Sequence, residues 1–117
     1  MRTDTVTLLH NPRCSKSRNA LALLQKKGVE PNIVEYLKTP PSKSALKAIL
    51  QKLGLKPAQI VRKGEEVFKK KYAGKMLTDD QWLDALEKDP ILIERPIAIR
   101  GEKAVVGRPP EAVLKLL

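Results

Sequence analysis

The sequence predicts an α/β fold: a mixed four-stranded sheet flanked by helices. Two observations carry that reading. Near the N-terminus, two short strand-like runs, Thr5–Leu9 and Asn32–Leu37, are separated by an amphipathic helical pattern, and this order makes a βαβ unit with parallel strands. Near the C-terminus, Ile97–Arg100 and Lys103–Val106 flank Gly101-Glu102, a two-residue hairpin of the glycine-first kind, which adds an antiparallel pair. The interval between them reads as helical, so the order is β-α-β, a helical insertion, a β-hairpin and a closing helix.

Each element has a local reason. Thr5-Val6-Thr7-Leu8-Leu9 is a β-branched and apolar run of the kind buried in a sheet. From Ser17 to Lys27, Ala20, Leu21, Leu23 and Leu24 mark one apolar side of a helix, and Gly28 stops it. Thr39-Pro40-Pro41 ends the second strand, because proline lacks a ladder donor and restricts its predecessor. Ser42 then caps a helix over Lys43–Leu53, with Ala45, Leu46, Ile49, Leu50 and Leu53 at helical spacing and Gly54 closing it. Pro57–Lys63 and Glu65–Tyr72 are expected to be short helices. Thr78-Asp79-Asp80-Gln81 has the form of a capping box, opening a helix that carries Trp82, Leu83 and Leu86 and stops before Asp89-Pro90. Pro109-Pro110 opens a short closing helix through Ala112, Val113, Leu116 and Leu117.

The 117 residues are read as one domain with an ordinary core. No leader pattern occurs in the polar stretch Met1–Thr7, and no apolar run approaches the roughly 18 residues of a membrane span. One cysteine cannot form an internal disulfide, so a reducing, cytoplasmic location is expected. The formal net charge is +10, but the four aromatics (Tyr36, Phe68, Tyr72 and Trp82) are not interleaved with basic residues in a base-stacking pattern. Most lysines are therefore read as a solvated face, with a few arginines left to attract anions.

The chemistry gathers in His10-Asn11-Pro12-Arg13-Cys14-Ser15-Lys16-Ser17-Arg18-Asn19, which holds the lone cysteine and the lone histidine. A cysteine between a strand and a helix start meets free backbone N–H groups and the positive end of the helix. Arg13, Lys16 and Arg18 add charge, and together these are the setting of a nucleophilic thiol. Three further arginines stand at element boundaries: Arg62 at the end of a short helix, and Arg95 and Arg108 each before a proline. Their planar forks match tetrahedral oxyanions. A phosphatase loop is excluded, because position 20 is Ala20 rather than arginine. A dithiol motif is excluded by Ser17, and one His with one Cys cannot close a zinc site.

These residues resemble the glutaredoxin-dependent arsenate reductase family of the thioredoxin-like superfamily, over essentially the whole chain. The loop His10–Asn19 looks like its active-site loop, and Leu37–Ser42 like the connection after its second strand. Ile60-Val61-Arg62-Lys63, Pro90–Ile97 and Gly107–Leu114 are similar to its three arginine regions. The resemblance implies that Cys14 attacks arsenate and that Arg62, Arg95 and Arg108 bind it, with His10, Asn11, Ser15, Ser17 and Pro96 in support. It also implies a cis peptide before Pro96, glutathione as co-substrate, glutaredoxin as partner, arsenite as product and no bound cofactor; from the composition, no nucleic-acid or membrane partner is expected. Two alternatives from the same superfamily stay open: a glutathione-linked thiol reductase and a redox or transcription-regulator-like binding module. The lone cysteine adds a point of its own, since without a second thiol the reducing equivalents after the first step must come from outside.

Overall fold

The computed structural model describes residues 5–117; the leader reading rests partly on residues 1–4, which lie outside the described residues. The chain forms two compact units, one made of the described residues up to Thr39 together with Arg95–Leu117, the other of Pro40–Glu94.

The first unit holds the sheet. Strand β1 (Val6–His10) leads through helix α1 (Ser15–Lys26) to β2 (Asn32–Glu35), and the hairpin β3 (Ile97–Arg100) and β4 (Lys103–Val106) completes it. The sheet order is β2-β1-β3-β4, with β1 parallel to β2 and antiparallel to β3, as a mixed four-stranded sheet requires. Val6 and Leu8 of β1, Ala20 and Leu24 of α1, Ala98 of β3, and Val113 and Leu116 near the C-terminus form one buried cluster. Truncating a fully buried leucine such as Leu24 to alanine would cost about 2–5 kcal/mol.

Several elements depart from expectation, β1 among them, which runs Val6–His10 rather than Thr5–Leu9. Helix α1 begins at Ser15, two residues early, because the turn before it already places Cys14 at the N-cap. Strand β2 ends at Glu35 rather than Leu37, because the N–H groups of Lys38 and Thr39 both donate to the Glu35 carbonyl and turn the chain there. The closing segment Pro110–Leu116 is 3₁₀ rather than α, with Pro109 before it in the extended region. The expected cis peptide precedes Pro96, and a second precedes Pro109.

The second unit is helical. Helix α2 (Lys43–Leu53) has the expected bounds, with the Ser42 hydroxyl accepting from Ala45 N and Gly54 at φ +69° closing it. Helices α3 (Glu66–Lys71) and α4 (Asp79–Lys88) follow, the latter opened by the reciprocal Thr78–Gln81 box. The segment after Gly54 is a 3₁₀ turn over Pro57–Ile60 that ends before Arg62, and a further 3₁₀ turn spans Pro90–Leu92. Helix α2 packs on α4, where Lys43 Nζ lies 2.8 Å from Asp80 and 2.9 Å from Asp84. Trp82 is 8% exposed and stacks on Phe68 with ring centroids 6.2 Å apart, which makes it a core anchor.

Candidate active site

The turn that carries the cysteine follows from its residues. Asn11-Pro12-Arg13-Cys14 is a β-turn closed by Cys14 N–H donating to the Asn11 carbonyl at 3.0 Å, with proline at the position where its fixed φ suits the turn. The Asn11 side-chain oxygen accepts the Arg13 N–H at 3.0 Å, a local Asx turn. Arg18 Nη1 donates to the Pro12 carbonyl at 2.9 Å and clasps the turn onto α1. Cys14 is the N-cap of α1, half-buried, and its carbonyl accepts from Arg18 N–H. The N–H groups of Ser15, Lys16 and Ser17 therefore have no acceptor within the helix, and no acidic residue occupies its first turn.

Behind the turn sits a polar pin. Ser17 is fully buried, and its Oγ accepts the Asn11 N–H at 3.0 Å and lies 2.7 Å from His10 Nδ1. His10 is itself 6% exposed; burial is the main cause that pulls its pKa below 6.5, opposed by Glu35 and assisted by Arg18. The neutral ring serves as a hydrogen-bonding strut. Ser17, expected as a supporting residue and as the place of a missing second thiol, ties the end of β1 to the loop and to α1. Its burial depends on contacts that sequence spacing does not reveal.

The register of the sheet brings the arginine segments to the same end. His10 pairs with Glu35, Leu9 with Ile97, and Ile97 with Val106. The cysteine turn leaves the end of β1 beside the point where Arg95-Pro96 leads into β3, and Gly107-Arg108 leaves β4 one strand further on. Neighbouring strands lie about 4.8 Å apart. Arg108 Nε donates to the Arg95 carbonyl at 3.0 Å, and Gly107 N–H donates to the Pro96 carbonyl at 2.7 Å. Nε and Nη1 of Arg95 are shielded from solvent. Only glycine fits at position 107, because a Cβ there would lie 2.7 Å from Pro96 Cγ and 3.1 Å from Val113 Cγ1. The sequence signal was a glycine immediately before the Arg-Pro dipeptide.

Arg62 belongs to the other unit. Val61 bridges Ile93, and Arg62 N–H donates to the Leu92 carbonyl at 2.8 Å. Its guanidinium is already engaged, with Nη1 2.8 Å from Glu65 and Nε 3.9 Å from Glu94. An oxyanion at Arg62 would compete with Glu65. Ser15 is exposed on the first turn of α1. Among the described residues, no group of three or more His, Cys, Asp or Glu side chains could hold a metal ion. No helix among them is long and apolar enough to cross a membrane.

Comparison with known proteins decides the lineage, because the model of the ArsC family matches residues 9–116. The chain belongs to the ArsC family. It is 43% identical over 115 residues to an arsenate reductase of Haemophilus influenzae, covering 97% of this chain and 99% of the relative. It is 42% identical over 117 residues to the uncharacterized protein YfgD of Escherichia coli, covering 98% of each. A solved arsenate reductase from Vibrio cholerae superposes with a TM-score of 0.93 at 44% identity, over 97% of this chain and 98% of that one. Like its ArsC neighbours, the chain has the thioredoxin-like fold.

Proposed function

We propose that this ArsC-family chain is an arsenate reductase in which Cys14 is the nucleophile and Arg95 and Arg108 hold the oxyanion. The observation that carries the reading is the convergence, at one end of the sheet, of a lone thiol at a helix N-terminus and the two ends of an arginine-flanked hairpin. The names of the Haemophilus and Vibrio relatives point to the same substrate.

In the first step the Cys14 sulfur attacks arsenic and an arsenate oxygen leaves as water, forming an S–As bond without a change of oxidation state. Free N–H groups of the first α1 turn and the guanidinium forks favour the negative charge on the remaining oxygens. The glutathione sulfur then attacks the Cys14 sulfur; the S–As bond breaks with its electron pair left on arsenic, and the resulting Cys14–glutathione disulfide is reduced by a glutaredoxin thiol, which takes over the glutathione and frees Cys14. Arsenic(V) gains two electrons and leaves as arsenite, while two thiols become one disulfide. The scheme places the chain in the reducing cytoplasm and needs no bound cofactor.

The test is arsenate-dependent oxidation of glutathione in the presence of glutaredoxin, for wild type and Cys14→Ser. Turnover that vanishes in Cys14→Ser is the expected result. The assignment fails if wild type shows no arsenate-dependent turnover where the Haemophilus relative does, or if the serine variant retains it.

A further inference from the structure

Beside the cysteine turn lies a cavity of about 260 Å³, between that turn and the turn after β2. It is lined on the side of the cysteine turn by His10, Asn11, Pro12 and Arg13, and on the other side by Glu35, Leu37 and Lys38. It opens at the same end of the sheet as Cys14, because His10 and Glu35 are register partners at the ends of β1 and β2.

Its chemistry differs from that of an oxyanion site. Arg13 and Lys38 are cationic, Glu35 is anionic, and Pro12 and Leu37 are apolar, with Leu37 43% exposed. A dianion such as arsenate would be repelled by Glu35. It would also leave most of the space empty, since one water needs only about 10–15 Å³ of such volume. A small peptide that carries carboxylates, an ammonium group and an apolar stem complements all three wall types. The Lys38–Glu35 pair spans 3.5 Å between side chains 78% and 39% exposed, so re-pairing each partner with a ligand charge is cheap.

We infer that this cavity is the docking subsite of the thiol co-substrate, a zwitterionic thiol peptide of the glutathione class, next to but separate from the oxyanion site. The inference rests on the proposed thiol-dependent reduction. It adds where the reductant sits and why a peptide thiol would outperform a small neutral one. Arg13, one residue before Cys14, anchors one carboxylate; Lys38 takes the second, and Glu35 takes the ammonium group.

The binding test uses S-methylglutathione, which has the charges of glutathione but no free thiol, titrated into wild-type protein and followed by amide shifts. Expected are saturable shifts at Asn11, Arg13, Glu35, Leu37 and Lys38, weakened about fivefold to tenfold by Lys38→Glu, as reversal of an exposed charge allows. Absence of binding, or shifts confined to residues 95–97 and 107–111, overturns the inference. In turnover, Lys38→Glu should raise the KM for glutathione by a similar factor and abolish its advantage over 2-mercaptoethanol; a parallel rise in the KM for arsenate also overturns it. Failure of the arsenate assay alone would sink the proposed reaction, while the shifts would still decide the subsite.

Discussion

Replacing Ser17 by alanine removes one oxygen from a site with no solvent exposure. Two partners lose their bond: the half-buried Asn11 N–H, 3.0 Å away, and His10 Nδ1, 2.7 Å away. Each buried polar group left unsatisfied costs about 1–3 kcal/mol, and Asn11 falls at the low end because water can reach it. Alanine returns roughly 0.5 kcal/mol of helix propensity, so the net loss is about 2 kcal/mol. A domain of this size has roughly 5–15 kcal/mol in all, so the loss is a sizeable fraction. With a urea slope of about 1–3 kcal/mol/M, the midpoint should fall by about 1 M. Far-ultraviolet circular dichroism is the suitable probe, because Trp82 lies in the other unit and its fluorescence would report there. A double-mutant cycle with His10→Ala should return a coupling of about 1 kcal/mol. A midpoint shift under about 0.2 M, or additive single variants, would refute the pin.

Other expectations follow from the same contacts. Burial holds the His10 pKa below its ordinary 6.5, so the unfolded chain binds the extra proton first. Its contribution to stability is full above pH 6.5 and is lost as pH falls through 6.5 towards the folded value; urea midpoints of wild type should drop there more steeply than those of His10→Gln. Tyr72 is pushed up to about 12, by burial and by the hydrogen bond it donates to Asp89 at 2.7 Å. Stability should therefore decline between pH 10 and 12, and Tyr72→Phe should flatten that decline in alkaline unfolding series. Arg108→Lys keeps the charge but loses the fork and the Nε bond to the Arg95 carbonyl. Its kcat/KM for arsenate should fall about tenfold or more, and unchanged kinetics would remove Arg108 from the site. Gly107→Ala should cost about 1–3 kcal/mol in thermal unfolding, because Pro96 cannot yield to a new Cβ without backbone movement.

How much of this was legible depends on where the controlling contact lies. Helix α2 and the β3–β4 hairpin have the expected bounds because Ser42, Gly54 and Gly101 act on their immediate neighbours. The Thr78–Gln81 box, three residues apart, was visible for the same reason. The end of β2 was not, since Tyr36 reads as a strand residue by composition yet lies buried in a turn set by bonds to the Glu35 carbonyl. Cys14 stood out because it is alone in a basic loop, and Arg95 and Arg108 because each precedes proline. The hidden parts of the site were tertiary: the Ser17 pin, the Gly107–Pro96 approach and the Arg108–Arg95 clasp each join residues six or more positions apart.

The clasp has a consequence for how the site can vary. Arg95 and Arg108 flank one hairpin whose strands pair from Ile97–Val106 to Arg100–Lys103, and the arginines are linked directly to each other. Their spacing is therefore a property of one contiguous stretch of gene. The thiol turn joins it through the β1–β3 ladder, a backbone pairing indifferent to side-chain identity. Under the proposed reaction, the arginine hairpin and the thiol turn can thus drift independently, so a lineage could change its reductant without rebuilding the segment proposed to hold the oxyanion.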